Sequence, residues 1–178
     1  MDYKKIHHIK DNLSVCGFGG IGDRQSFESY GFKAHLQCLE GFEDWLRECV
    51  DVKCLPFDDG SPIPIDILEE AQNWLSKHWD QRDRILISCL AGESRSVAMA
   101  ACLLSLKTDA GFSKACEEVF AKVPGAYPHP STLVSAADYC SVILDFDQLR
   151  DMYLKIQVQP PFPWTDDTLK DALNSVKR

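Results

Sequence analysis

The sequence predicts an α/β fold, a central mixed, mostly parallel sheet flanked by helices. Three observations carry that expectation. Short strand-like runs alternate along the chain with stretches of helical length, the pattern of βα units. The run from Arg84 to Ser88 is β-branched and apolar rather than alternating, as befits a strand covered on both faces. The stretch "RILISCLAGESRSVAMAACLL", residues 84 to 104, leaves that run through a short loop and re-enters an Ala- and Leu-rich segment. This succession puts residues 89–95 at the carboxyl end of a sheet strand, where such folds bind ligands.

In chain order, Leu13–Cys16 reads as a short strand, followed by the glycine-rich turn "GFGGIG". "DRQSFESYG" reads as a helix stopped by Gly31. In "FKAHLQCL" the residues Phe32, Ala34, Leu36 and Cys38 alternate with polar ones, which predicts a strand with one buried face. Residues 40–49 are helix-like, "VKCLPF" is strand-like, and "DDGSPIP" is loop. Ile65, Leu68, Ala71, Leu75 and Trp79 recur at helical spacing. Val97–Leu106 is apolar all round, hence a buried helix. Further helices are expected over Ser113–Lys122 and from Ser131 to about Phe146, separated by "VPGAYPHP". Residues 1–150 form the expected catalytic body. Residues 151–178 form an extension with a proline-rich hinge, "VQPPFPWTDD", and a short C-terminal helix that "PPFPW" could dock on the body.

Composition narrows the function classes. A chain of 178 residues that is 45% hydrophobic and 26% charged suits one soluble domain with a short appendage. No run approaches the roughly 18 apolar residues of a membrane span, so no membrane insertion is expected. "MDYKKIHHIKDN" lacks the apolar segment of a signal peptide, which points to the cytoplasm. There the eight cysteines are expected as free thiols. The absence of CxxC and the scattering of the five histidines argue against a metal site. A net charge of −8 argues against a nucleic-acid partner. A monomer without cofactor is expected.

The loop after residue 88 carries the chemistry. Cys89 is followed six residues later by Arg95, with Gly92 between and Ser94 and Ser96 flanking the arginine. Backbone N–H groups curling at a helix N-terminus make an anion cradle. Gly92 lets the backbone turn through conformations other residues resist. Arg95 offers a planar fork that matches two phosphate oxygens. The field that holds a phosphate also favours a thiolate at Cys89. The plain alternative is a buried cysteine before a helix, which leaves Gly92 and the serines unexplained.

"SCLAGESRS" resembles the HCxxGxxR[ST] signature of cysteine-dependent protein phosphatases, in particular the small dual-specificity type. That family also carries a P-x-x-D loop ahead of a helix, and "LPFDDGSPIP" stands in the corresponding place, with Asp59 thirty residues before Cys89. The resemblance runs from the Leu13 region to about Phe146 and leaves the tail after Arg150 uncovered. It implies a protein tyrosine phosphatase-like fold. It also implies hydrolysis of phosphate monoesters, phosphotyrosine and possibly phosphoserine or phosphothreonine in proteins, through a cysteinyl-phosphate.

By position, Cys89 is the implied nucleophile and Arg95 the residue holding the transferring phosphoryl group. Ser96 is the implied partner that helps the sulfur leave, and Asp59 the general acid and then base. Leu90, Ala91, Gly92, Glu93, Ser94 and Arg95 form the implied phosphate-binding loop. Aligning Pro56 with the family's proline favours Asp59 over its neighbour Asp58. In a lipid-phosphatase branch, a cysteine in the place of Cys38 can pair with the oxidised nucleophile; packing explains Cys38 as well, and Cys54 is a rival. His129, in "YPHPS", stands where the family places a residue supporting the loop, although a surface histidine in a turn is an equal reading.

One departure is clear: Ser88 stands where the family has His. Together with the acidic Glu93 it keeps open an alternative, a weak or inactive pseudophosphatase that binds phosphorylated partners. A rhodanese-like sulfurtransferase or an arsenate reductase also uses a reactive cysteine in such a loop, but neither needs the distal acidic loop. Glu93, with no lysine in the loop, disfavours polyphosphorylated lipids and favours phosphorylated proteins or small aryl phosphates.

Overall fold

The computed structural model describes residues 5–41, 43–156 and 164–176. The sheet has five strands: β1 (Ile6–Lys10), β2 (Leu13–Gly17), β3 (Ala34–Gln37), β4 (Asp51–Cys54) and β5 (Ile85–Cys89). Their order is β1-β2-β5-β3-β4. β1 pairs antiparallel with β2, and every other pairing is parallel. The expected mixed, mostly parallel sheet is therefore present. β5 lies in its middle, and all five of its residues are buried. That is why its sequence is apolar without alternation.

Helices cover both faces. α1 (Arg24–Tyr30) and α2 (Leu46–Cys49) lie on one side, where Cys16, Phe27, Phe32, Leu46 and Leu86 form a small core. The larger core lies on the other side, under α3 (Ile65–Asp80), α4 (Arg95–Lys107), α5 (Phe112–Lys122) and α6 (Pro130–Tyr139). α4 runs through its centre with Ser96 to Leu104 all buried, which accounts for its lack of a polar face. Each large apolar side chain sunk there, such as Met99 or Leu103, stabilises the fold by about 1.5–3 kcal/mol. α8 (Asp166–Ser175) packs on α6, α7 (Phe146–Leu154) packs against α5 and α8, and Leu149, Leu169 and Ala172 join the same core.

Four local expectations need correction. β1 went unrecognised in the sequence. β3 is buried on both faces, because His35 and Gln37 are enclosed along with Ala34 and Leu36. The helix expected over 40–49 is only Leu46–Cys49. The single helix expected from Ser131 to Phe146 is two, α6 and α7, parted by a turn in which Ser141 takes a φ of 60°. The division between 150 and 151 falls inside α7. Residues 158–163 of the proline-rich hinge lie outside the described residues; its end, 164–167, is described and leads into α8, the expected C-terminal helix.

Candidate active site

Three strand ends meet where the sequence places its loop. β5 stops at Cys89, flanked by β2 ending at Gly17 and by β3, after which Cys38 donates its N–H to the Ser88 carbonyl at 2.8 Å. The chain turns through residues 90–94 and enters α4 at Arg95. Gly92 sits at φ +79°, a left-handed conformation that L side chains resist. A Cβ at Gly92 would also lie 2.6 Å from the Cys16 carbonyl carbon and collide with the Gly17 nitrogen. The loop is thus pressed directly on the backbone leaving β2, and Phe18 N–H donates to the Leu90 carbonyl at 3.1 Å.

The Cys89 sulfur receives the Gly92 N–H at 3.3 Å and lies 3.2 Å from the Ser96 hydroxyl. It belongs to the wall of a pocket of about 380 Å³ that Asp59, Leu90, Ala91, Glu93, Ser94 and Arg95 also line. Arg95 Nη1 donates to the carbonyls of Cys38 and Phe57, both at 3.1 Å. Its Nε is buried without a hydrogen-bond partner, 3.7 Å from Asp59 Oδ2. A buried donor left unpaired costs about 1–3 kcal/mol, and the Asp59 carboxylate is the nearby negative charge that this Nε faces. Two carbonyls hold the guanidinium at Nη1, and its Nε makes no hydrogen bond.

Asp59 is brought to the same pocket from the β4–α3 connection. Ser94 Oγ donates to Asp59 Oδ1 at 2.6 Å and accepts the His129 N–H at 3.1 Å. One hydroxyl therefore ties the acidic loop, the phosphate-type loop and the segment before α6. Asp58 does not line that pocket: it lines an adjoining cavity of about 400 Å³ with Pro56, Phe57 and Ser61, which Arg95 also borders. Glu93 is half-buried, and burial raises its carboxyl above the usual range.

The residues in the second tier are placed as follows. His129 caps α6 by accepting the Ser131 N–H on Nδ1 at 3.2 Å, and burial lowers its imidazole below the usual value against the pull of Asp59. Cys38 is fully buried; burial and the Cys89 charge raise its thiol, while Arg95 opposes. Cys54 instead donates to the Leu39 carbonyl at 2.8 Å. All eight cysteines are free thiols. Ser88 is hydrogen-bonded to His35 of the adjacent strand at 2.8 Å. Among the described residues, no three His, Cys, Asp or Glu side chains are grouped to hold a metal.

The sequence did not single out Gly60 or two aromatic residues of the pocket. Tyr127 and Trp164 line the wall beside Cys89, their rings stacked at 5.0 Å and 6° between planes. Trp164 also meets the His129 ring edge-on at 4.7 Å.

This architecture is that of known phosphatases. DUSP15 superposes with a TM-score of 0.68 at 18% identity, covering 83% of this chain and 94% of its own. Human DUSP28 gives 0.63 at 18% identity, over 86% and 95%. Tk-PTP in its active form gives 0.62 at 19% identity, over 76% and 93%. The chain has the fold of the small dual-specificity phosphatases. No protein-family model matches the sequence, and no curated protein matches it. Among the described residues, no helix of this phosphatase-like fold is long and apolar enough to cross a membrane.

Proposed function

We propose that the protein hydrolyses phosphate monoesters, phosphotyrosine foremost, through a cysteinyl-phosphate intermediate. The observation that carries this reading is the Cys89 sulfur, held by the Gly92 amide and Ser96 hydroxyl in a pocket shared with Arg95 and Asp59. The Cys89 thiolate attacks phosphorus while Arg95 Nε and the loop amides take up the charge on the equatorial oxygens. Asp59 gives its proton to the departing oxygen, and Ser94 fixes the orientation of that carboxyl. Asp59 then draws a proton from water, which attacks the phosphocysteine. Ser96 donates to the sulfur as the S–P bond breaks.

Substrate charge follows from the lining. Arg95 is the one cation among the pocket's named residues, beside two carboxylates, Asp59 and Glu93. Such a site suits a single phosphoryl group and repels a second. The deciding experiment is hydrolysis of p-nitrophenyl phosphate by wild type, Cys89→Ser and Asp59→Ala. Turnover by wild type, none by Cys89→Ser and slowed turnover by Asp59→Ala is the expected result. Tight vanadate binding by an inactive wild type would favour a phosphate-binding module instead.

A further inference from the structure

We propose that Trp164 is a specificity-determining residue: it makes the C-terminal segment part of the substrate pocket and selects phosphate monoesters carried on a flat aromatic ring. This rests on the reading of the Cys89 loop as a phosphate site.

The placement of Trp164 is built from the sequence upward. Thr165 caps α8, its hydroxyl accepting the Thr168 N–H at 3.2 Å. Leu169 and Ala172 are sunk in the main core, so the start of α8 is anchored. The residue just before the cap is Trp164, and it reaches the pocket that contains Cys89. Its neighbours there are held in turn. Tyr127 N–H donates to the Glu93 carbonyl at 2.6 Å, and the His129 N–H goes to Ser94. Tyr153 of α7 donates from its buried hydroxyl to the Pro128 carbonyl at 2.7 Å, fixing the segment from below.

The chemistry of this wall points to a ring. Tyr127 and Trp164 are stacked in parallel, and Leu90, at 67% exposure, adds an apolar rim. A phosphate seated at Cys89 puts the first atoms of its alcohol among these side chains. An aromatic ring gains from them through offset or edge contacts, whereas the short polar stem of a phosphoserine gains little. Trp164 Nε1 is itself buried without a hydrogen-bond partner.

The test compares kcat and KM for phosphotyrosine and phosphoserine in one peptide sequence, using the full chain and its Trp164→Phe and Trp164→Ala variants. In Trp164→Ala the ratio of the two kcat/KM values is expected to fall about tenfold toward phosphoserine, through KM. Trp164→Phe is expected to recover most of the ratio. An unchanged ratio, or a loss carried by kcat for both peptides alike, would overturn the proposal and leave Trp164 as packing. A wild type that hydrolyses neither peptide defeats the hydrolytic reading alone. The question is then put to Cys89→Ser by calorimetry with phenyl phosphate and inorganic phosphate. Trp164→Ala in that background should lower the ratio of the two affinities about tenfold, and an unchanged ratio overturns the proposal.

Discussion

His35 and Ser88 meet across neighbouring strands, imidazole Nε2 to hydroxyl Oγ at 2.8 Å, one residue before the Cys89 sulfur. Small dual-specificity phosphatases carry a histidine in the position of Ser88. Here an imidazole reaches that position from β3 instead. Its Nδ1 is buried without a partner, and burial lowers its pKa to about 4. The ring is therefore neutral in the folded protein at neutral pH.

That neutrality predicts a pH dependence of stability. Unfolded, His35 protonates near its ordinary value of 6.5; folded, it protonates only near 4. Between those values the unfolded chain binds more protons, so stability drops as pH falls from 6.5 toward 4. The slope reaches about 1.4 kcal/mol per pH unit. Urea unfolding at pH 7, 5.5 and 4.5 should show a steeper loss for wild type than for His35→Gln. Parallel losses would exonerate His35.

The two acids of the loop should separate in activity. Asp59 shares the pocket with Cys89, and Asp58 lines the adjoining cavity on the other side of Arg95. Asp59→Ala is expected to slow hydrolysis of an alkyl phosphate by about 10²–10⁴-fold, and that of p-nitrophenyl phosphate less. Asp58→Ala should stay within about threefold of wild type, as surface changes do. Rates with both substrates decide it, and a greater loss in Asp58→Ala would reverse the assignment.

Ser96 should act on the second half of the reaction. Its hydroxyl lies 3.2 Å from the sulfur, and in the proposed reaction it is placed to donate to that sulfur as the S–P bond breaks. Ser96→Ala is expected to accumulate the phosphocysteine, seen as a burst of p-nitrophenol in stopped flow followed by turnover slowed about tenfold or more. A slower reaction without a burst would assign Ser96 to the first step.

Gly17 tests the seam between strand and loop. Its own backbone is ordinary, yet a Cβ would lie 2.7 Å from the Ala91 oxygen and 3.2 Å from the Leu90 oxygen. Gly17→Ala therefore pushes the loop rather than straining its own turn. Activity is expected to fall while stability drops by about 1–3 kcal/mol, the range for overpacking. Thermal unfolding beside kcat/KM measures both.

What the sequence revealed follows from the range of each interaction. Cys89, Gly92, Arg95 and Ser96 lie within eight residues, and a strand–loop–helix succession is a local pattern, so they were readable. Asp59 was readable through its proline and its distance from the cysteine. β3 misled because His35 and Gln37 look like an exposed edge. One polar atom of each is met internally, His35 Nε2 by Ser88 and Gln37 Nε2 by the Gly41 carbonyl, while His35 Nδ1 and Gln37 Oε1 are buried without a partner. β1, with "IHHIK", alternates too little to announce an edge strand. The break between α6 and α7 rests on Ser141 in a left-handed turn, where no glycine marks it. Trp164 reaches the pocket through a tertiary contact alone, with no motif to flag it.

The grip of Arg95 on two carbonyls has a consequence for how this chain can vary. Cys38 belongs to the end of one strand and Phe57 to the approach to the acid, yet a single guanidinium clasps both. The clasp joins both segments to the loop that follows Cys89. Removing that one side chain would therefore release two segments at once, far apart in sequence, together with the first turn of α4.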